Sequence, residues 1–203
     1  DIPKVKDNGV LIKLDYVGVC GSDSHLFENG FIGENKVTKP MVLGHEPGGT
    51  IIEIGKDVTN LKVGDRVAVE PGVPCWQCDF CKQGKYNLCR NVYFYASLPV
   101  TEGCFQEYIA HPANLCYKLP DNVSFAKAAM VEPLSIAYHA VRISGMPLYS
   151  STVVFGAGTI GLLIIQLLKV FGSQRIIAVD IDEGKLAMAK NSGATDVILS
   201  SKI

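Results

Sequence analysis

The sequence predicts an α/β chain in two parts, a β-rich region followed by the opening half of a doubly wound parallel sheet. Three observations carry this. Short apolar and polar runs at strand spacing, punctuated by Gly and Pro, extend from Val10 to about Lys118. Helical spacing takes over from Ser124 to Ser144. After Gly145, strand-like and helix-like segments alternate at lengths suited to a right-handed βαβαβ unit.

The elements follow in order. Val10–Val17 mixes apolar and polar positions as a half-buried strand does, Thr50–Gly55 is a strand stopped by a glycine, and Val63–Val69 carries a Gly-Asp turn into a strand. Ser124 is placed to cap a helical stretch whose apolar faces come from Ala128, Ala129, Leu134, Ile136, Ala137 and Val141, with Pro133 dividing it in two. Ser151–Phe155, Arg175–Asp180 and Asp196–Leu199 read as buried strands. Ile160–Phe171 and Gly184–Asn191 read as the helices between them.

Composition narrows the function classes. With 19 Lys plus Arg against 20 Asp plus Glu, the net charge is −1, and no basic run marks a nucleic-acid or anionic-lipid surface. Neither nucleic acid nor membrane is expected as a partner. The stretch between Arg142 and Lys169 is free of charge and long enough to span a bilayer. Its glycines, serines and Pro147 instead break it into a strand, a turn and a helix.

Seven cysteines are an odd number, and four of them, Cys75, Cys78, Cys81 and Cys89, crowd into fifteen residues. Such spacing suits a metal better than a disulfide framework. Four thiolates around tetrahedral Zn²⁺ make a closed, structural site; an iron–sulfur cluster is the rival. Reduced thiolates point to a reducing compartment, most simply the cytoplasm, and no apolar leader opens the chain. Cys104 and Cys116 read as small buried side chains, and His111 and His139 as surface or helix positions without a partner motif.

Gly156-Ala157-Gly158-Thr159-Ile160-Gly161 follows one predicted strand and opens a helix, and Asp180 ends the next strand nineteen residues after Gly161. Gly156 permits the tight turn, Gly158 the approach of a pyrophosphate, and Gly161 close packing of helix on strand. Asp180 suits a free ribose diol and repels a 2′-phosphate, with Asp182 adding negative charge, so NAD is favoured over NADP. Lys185, one turn further, is within reach of the ribose.

Cys20, His45-Glu46 and Glu132 lie in separate segments and combine a thiolate, an imidazole and carboxylates, the donor types of an open catalytic zinc site. Around them stand Gly18-Val19-Cys20-Gly21-Ser22-Asp23, Lys39-Pro40-Met41-Val42-Leu43-Gly44-His45-Glu46, Gly64-Asp65-Arg66-Val67-Ala68-Val69-Glu70-Pro71-Gly72, Tyr86-Asn87-Leu88-Cys89 and Val131-Glu132-Pro133-Leu134-Ser135. With the glycine fingerprint, these ordered motifs resemble the zinc-dependent medium-chain alcohol dehydrogenases, and within them the sorbitol (L-iditol) and xylitol dehydrogenases.

The resemblance implies a GroES-like zinc-binding catalytic domain over residues 1–146, with its structural zinc lobe at 72–92. The truncated first half of an NAD-binding Rossmann domain follows over 147–203. It implies one catalytic and one structural zinc, with Cys20, His45 and Glu46 on the catalytic ion and Glu132 holding or exchanging with its water. Asp23 would orient His45, Ser22 and His25 would relay the proton, and Phe94 and Ser97 would line a polyol pocket. Gly156, Gly158, Ile160, Gly161, Asp180 and Lys185 would hold NAD.

The implied reaction is oxidation of a secondary alcohol of a polyol to a ketose, in a homodimer or homotetramer. A sugar-alcohol phosphate, a vicinal diol or L-threonine are alternative substrates, and a non-catalytic zinc- and nucleotide-binding module is the alternative from another class. Leu26 departs from the substrate-contacting Tyr of animal polyol dehydrogenases. The length departs too, since two full domains of this kind take about 350 residues. The opening strand, the nicotinamide half and the final returning segment are expected to be missing.

Overall fold

The computed structural model describes residues 2–202. The chain divides into two compact units, Asp1–Glu132 and Pro133–Ile203. The first contains β1 (Gly9–Gly18), α1 (Gly21–Asn29), β2 (Phe31–Ile32), β3 (Asn35–Lys36), β4 (Glu46–Ile54), β5 (Arg66–Val69), β6 (Gly72–Val73), α2 (Asp79–Lys82), β7 (Tyr93–Phe94), β8 (Tyr108–Pro112), β9 (Cys116–Lys118) and α3 (Phe125–Ala129). Helix α4 (Val131–Ile143) begins at the boundary, and β10 (Ser151–Phe155), α5 (Thr159–Val170), β11 (Arg175–Asp180), α6 (Glu183–Ser192) and β12 (Asp196–Leu199) complete the second unit.

Five strands of the first unit form an antiparallel sheet in the order β8-β1-β4-β5-β9. Val10 and Ile12 of β1, Ile51 of β4, Val67 and Val69 of β5 and Ile109 of β8 meet in one buried cluster, joined by Tyr95, Cys104 and Cys116. Alternation along the strands therefore sets which side chains face the core. Cys104 and Cys116 are small buried side chains, and burial pushes the Cys116 thiol up to about 12. The pairing of β1 with β4 ends at Gly18 opposite Glu46, which brings two segments far apart in sequence to one end of the sheet.

The second unit has its strands and helices where the sequence reading placed them, but β10 is not the buried strand expected, since only Val154 of it is buried while Val153 and Phe155 are exposed. Strands β10, β11 and β12 lie parallel in that order, with α5 and α6 as the intervening helices. Their core is built from Val154, Ile165, Leu168, Ile176, Ala178, Leu186 and Ala189. Val141 joins this cluster. By packing, then, the second half of α4 belongs to the second unit, and the domain boundary expected at 146/147 lies within that unit. Ser124 caps α3 by accepting the Lys127 N–H, as its position suggested. The break between α3 and α4 comes at Met130, and Pro133 sits in the first turn of α4, where its missing N–H costs no helical hydrogen bond. Among the described residues, no helix is long and apolar enough to cross a membrane.

His111 corrects the expectation of a surface position. It points from β8 into the core at 3% exposure, and its Nδ1 lies 2.8 Å from the Tyr95 hydroxyl. The alternating pattern Ile109–His111 on the inward face of β8 decides this placement. Burial holds the imidazole pKa down at about 4. An unfolded chain takes up that proton near 6.5. The stability given by the neutral ring is therefore complete above pH 6.5 and falls as the pH drops towards 4, by about 3 kcal/mol. Urea unfolding at pH 7 and pH 4.5 is expected to show a smaller acid-induced loss in His111→Gln than in the unaltered chain. Equal losses in both would show that this ring does not govern the effect.

Candidate functional site

The first donor cluster is built at the end of the sheet where β1 and β4 part. Cys20 caps α1, His45 precedes β4 and Glu46 opens it. One ligand atom from each of Cys20, His45 and Glu46 lies within 4.8 Å of the other two. The backbone is shaped for this crowding. A Cβ on Gly18 would collide with the Glu46 carboxylate, so the bare glycine opposite Glu46 leaves the acid its place.

Asp23, 2% exposed, holds the arrangement together. Its Oδ2 accepts the Cys20 N–H at 3.0 Å and its Oδ1 accepts the Gly44 N–H at 2.9 Å. The same Oδ1 is 3.7 Å from His45 Nδ1, too far for a hydrogen bond. Asp23 thus fixes the backbones on either side of the cluster, where the resemblance had it orienting the imidazole directly.

The electrostatics call for a cation. Burial lowers the His45 pKa, opposed by the charge of Asp23. Burial and then Asp23 raise the Glu46 pKa, with the Cys20 hydrogen bond pulling it down. His45 Nδ1 is buried without a hydrogen-bond partner. A thiol, an imidazole and a carboxylate converging in this way fit a borderline-soft divalent ion such as Zn²⁺. Glu132 lies outside the three-residue group. Its carboxyl is raised to about 7 by burial first, then by the charges of Glu46 and Glu70, which places it in the same electrostatic neighbourhood.

A cleft of about 240 Å³ opens beside His45. Ser22, Phe94 and Ser97 line it, and the His45 and Phe94 rings are 5.5 Å apart. His25, exposed on α1, does not line the cleft; it packs edge-on against Phe31 and meets the Asn29 side chain. Leu26 is buried on the other side of α1. Ile32, Asn35, Ala96 and Leu98 also line the cleft, and sequence reasoning missed all four. For Ile32 and Asn35 a signal existed, because Gly33-Glu34 is a two-residue turn with Gly first and Ile32 pairs with Asn35 across it.

The second donor cluster is the four-cysteine lobe. Ligand atoms of Cys75, Cys78, Cys81 and Cys89 all lie within 4.8 Å of one another, a donor set that fits a closed tetrahedral ion. The Cys81 and Arg90 N–H groups bring the Cys78 thiol down to about 6, ready to ligate. Arg90 pairs with both carboxylate oxygens of Asp79, and the Tyr86 and Trp76 rings stack 5.5 Å apart around the loop. Glu70 accepts the Tyr86 hydroxyl at 3.2 Å and the Tyr117 hydroxyl at 3.5 Å, so it ties the lobe to β9.

The glycine turn in the second unit has the shape a dinucleotide needs. Gly156 has φ +91°, a Cβ on Gly161 would collide with the Gly156 carbonyl, and a Cβ on Gly158 would meet nothing within 4 Å. Helix α5 starts at Thr159 with Gly158 as its cap, so its first-turn N–H groups, Ile160 among them, face the open space beyond the turn. Asp180 accepts the Ala157 N–H at 2.6 Å and the Asp182 N–H at 3.0 Å, bracing the turn from the next strand. Lys185 is exposed, and its charge helps lower the Asp180 pKa, after the backbone N–H groups of Ala157 and Asp182.

Comparison with known proteins agrees with this geometry. The alcohol dehydrogenase GroES-like domain family matches residues 6–121, and the zinc-binding dehydrogenase family matches residues 159–203. D-xylulose reductase A of Aspergillus oryzae is 47% identical over 203 residues, 100% of this chain and 56% of that protein. An Escherichia coli oxidoreductase/dehydrogenase of unknown specificity involved in membrane biogenesis superposes with a TM-score of 0.94 at 43% identity, covering 100% of this chain and 59% of its own. Galactitol-1-phosphate dehydrogenase of Escherichia coli gives 0.90 at 35% identity, covering 100% and 57%. The chain spans a little over half the length of these relatives. The chain belongs to the zinc-dependent medium-chain alcohol dehydrogenases.

Proposed function

We propose that this chain carries the metal-binding and adenosine-binding parts of an enzyme that oxidises a secondary alcohol of a xylitol- or sorbitol-type polyol to the ketose, with hydride transfer to NAD. The observation that carries the reading is the convergence of Cys20, His45 and Glu46 at one side of a cleft. The name of the Aspergillus oryzae relative, a D-xylulose reductase, supports a pentitol or its ketose as the substrate class. The same proposal places the protein in the cytoplasm as a homodimer or homotetramer.

When bound, zinc supplies Lewis-acid polarisation of an alcohol oxygen, and NAD accepts the hydride. Cys20, His45 and Glu46 hold the metal, and the four cysteines of the lobe hold the structural ion. Ser22, on the cleft wall, is the hydroxyl placed to receive the substrate proton, and exposed His25, on the same helix, is the group that would release it to solvent once the bound cofactor bridges them. Glu132, which feels the charge of Glu46, is the further carboxylate that would hold or exchange with a water at the metal. Gly158 gives the pyrophosphate its space, and Asp180 accepts from the adenosine ribose while keeping the turn in place. Phe94 and Ser97 form part of the substrate wall.

Metal analysis is expected to find two zinc ions per chain, falling to about one in Cys20→Ser. One ion that survives Cys20→Ser and His45→Ala unchanged would leave only a structural lobe, the reading of a non-catalytic module. In the zinc-loaded full-length enzyme, NADH formation is expected with xylitol and sorbitol. Turnover of galactitol 1-phosphate, 2,3-butanediol or L-threonine with none of either polyol would end the polyol reading. The two cofactor glycines are expected to separate folding from binding. Gly161→Val should lower the unfolding midpoint by forcing α5 off Gly156, at a cost of about 2 kcal/mol or more. Gly158→Val should leave the midpoint within about 1 kcal/mol while NADH titration shows at least about tenfold weaker binding.

A further inference from the structure

The β2–β3 hairpin supplies a side chain whose chemistry nothing above has used. Ile32 and Asn35 are paired directly across the ladder, so their side chains share one face of the hairpin, and both line the cleft beside His45. Phe31 and Lys36, the next pair, belong to the opposite face, and Phe31 packs on His25 there. The turn between the strands keeps Gly33 at φ +58°, which fixes which residues become partners.

Part of the polar capacity in the cleft is already committed, and Ser22 is the hydroxyl assigned above to the substrate proton. The Ser97 hydroxyl donates to the Phe94 carbonyl at 3.0 Å and lies 3.3 Å from the Thr101 hydroxyl. His45 belongs to the metal cluster. Among the described residues, the Asn35 carboxamide has no protein hydrogen-bond partner, although it stands on the cleft wall next to the apolar Ile32 and Leu98. Among the described residues, no Lys, Arg, Asp or Glu lines the cleft. An amide offers two donors and an acceptor without charge, which matches a hydroxyl, itself both donor and acceptor. A phosphate, by contrast, asks for cations or a cluster of N–H donors.

We infer that Asn35 is a specificity-determining residue that hydrogen-bonds a second hydroxyl of the substrate, away from the carbon being oxidised, and so selects uncharged polyols over monohydric alcohols and over sugar-alcohol phosphates. The inference rests on the proposed polyol dehydrogenase activity. Asn35 is exposed at the hairpin and outside the packed core, so its replacement leaves folding and metal content intact.

The test uses the full-length, zinc-loaded enzyme with xylitol, 2-butanol and galactitol 1-phosphate. In Asn35→Leu, kcat/KM for xylitol is expected to fall about tenfold, carried by KM, while that for 2-butanol holds or rises. Asn35→Asp, which keeps an acceptor, should retain most xylitol turnover and disfavour the phosphate further. Asn35→Lys should improve the phosphate relative to xylitol. An unchanged xylitol-to-2-butanol ratio in Asn35→Leu, with xylitol turned over by the unaltered enzyme, would overturn the role of Asn35 alone. No xylitol turnover by the unaltered enzyme would instead overturn the polyol reading beneath it. Equal losses on xylitol and 2-butanol, or loss of zinc in Asn35→Leu, would mark the residue as structural and also overturn the inference.

Discussion

The buried carboxylate of Asp23 is the constraint on which the first metal cluster depends. Cys20 and Gly44 lie twenty-four positions apart, on segments that only the pairing of β1 with β4 brings together. Accepting one N–H from each, Asp23 stitches the start of α1 to the residue before His45. Both bonds are charge-assisted, and the one from Gly44 is also buried from water, which makes them stronger than ordinary amide bonds. Without the carboxylate, two backbone donors would be left to find partners in a crowded corner, at about 1–3 kcal/mol for each that stayed buried and unpaired. An Asp is needed because the acceptor must reach two directions at once on a short side chain.

Two metal clusters with different logic follow from two kinds of local sequence. The lobe places its four cysteines within one loop, so short-range turns and backbone N–H groups suffice to gather them. It is closed by four like donors. The Cys20, His45 and Glu46 cluster is gathered by tertiary structure, offers three unlike donors and sits beside a cleft. That difference is the one between a metal that organises a loop and a metal left with a position for substrate. Glu70 links the regions mechanically, since Tyr86 of the lobe and Tyr117 of β9 both donate to its carboxylate.

Much of this was legible in the sequence because the relevant signals are local. Strands β10, β11 and β12 fall where the apolar runs placed them, although an apolar run does not by itself mean burial, since Val153 and Phe155 of β10 stay exposed. The glycine turn was legible for the same reason, as each of its glycines answers a steric demand within a few residues. What escaped was tertiary. His111 looked like a lone surface histidine, and only the inward register of β8 and the distant Tyr95 show why it is buried. The pull of α4 towards the second unit depends on Val141 meeting Val154 and Ile165, a contact no local pattern reports. Ile32, Asn35, Ala96 and Leu98 reach the cleft from loops and a two-residue strand pair, where periodicity has too few residues to register.

The pattern of charge around the first cluster explains why a metal belongs there more firmly than ligand spacing does. Asp23 and Glu46 are both buried, and Glu132 feels the charges of Glu46 and Glu70. A group of acids drawn from water raises the cost of each further negative charge, which is what pushes Glu46 and Glu132 upward. Elsewhere in the chain, the buried acid Asp65 is answered by a lysine, Lys118, at 2.7 Å. At the cluster the neighbours are instead a thiol and an imidazole, groups that become ligands by losing protons. A divalent cation would satisfy all of them together.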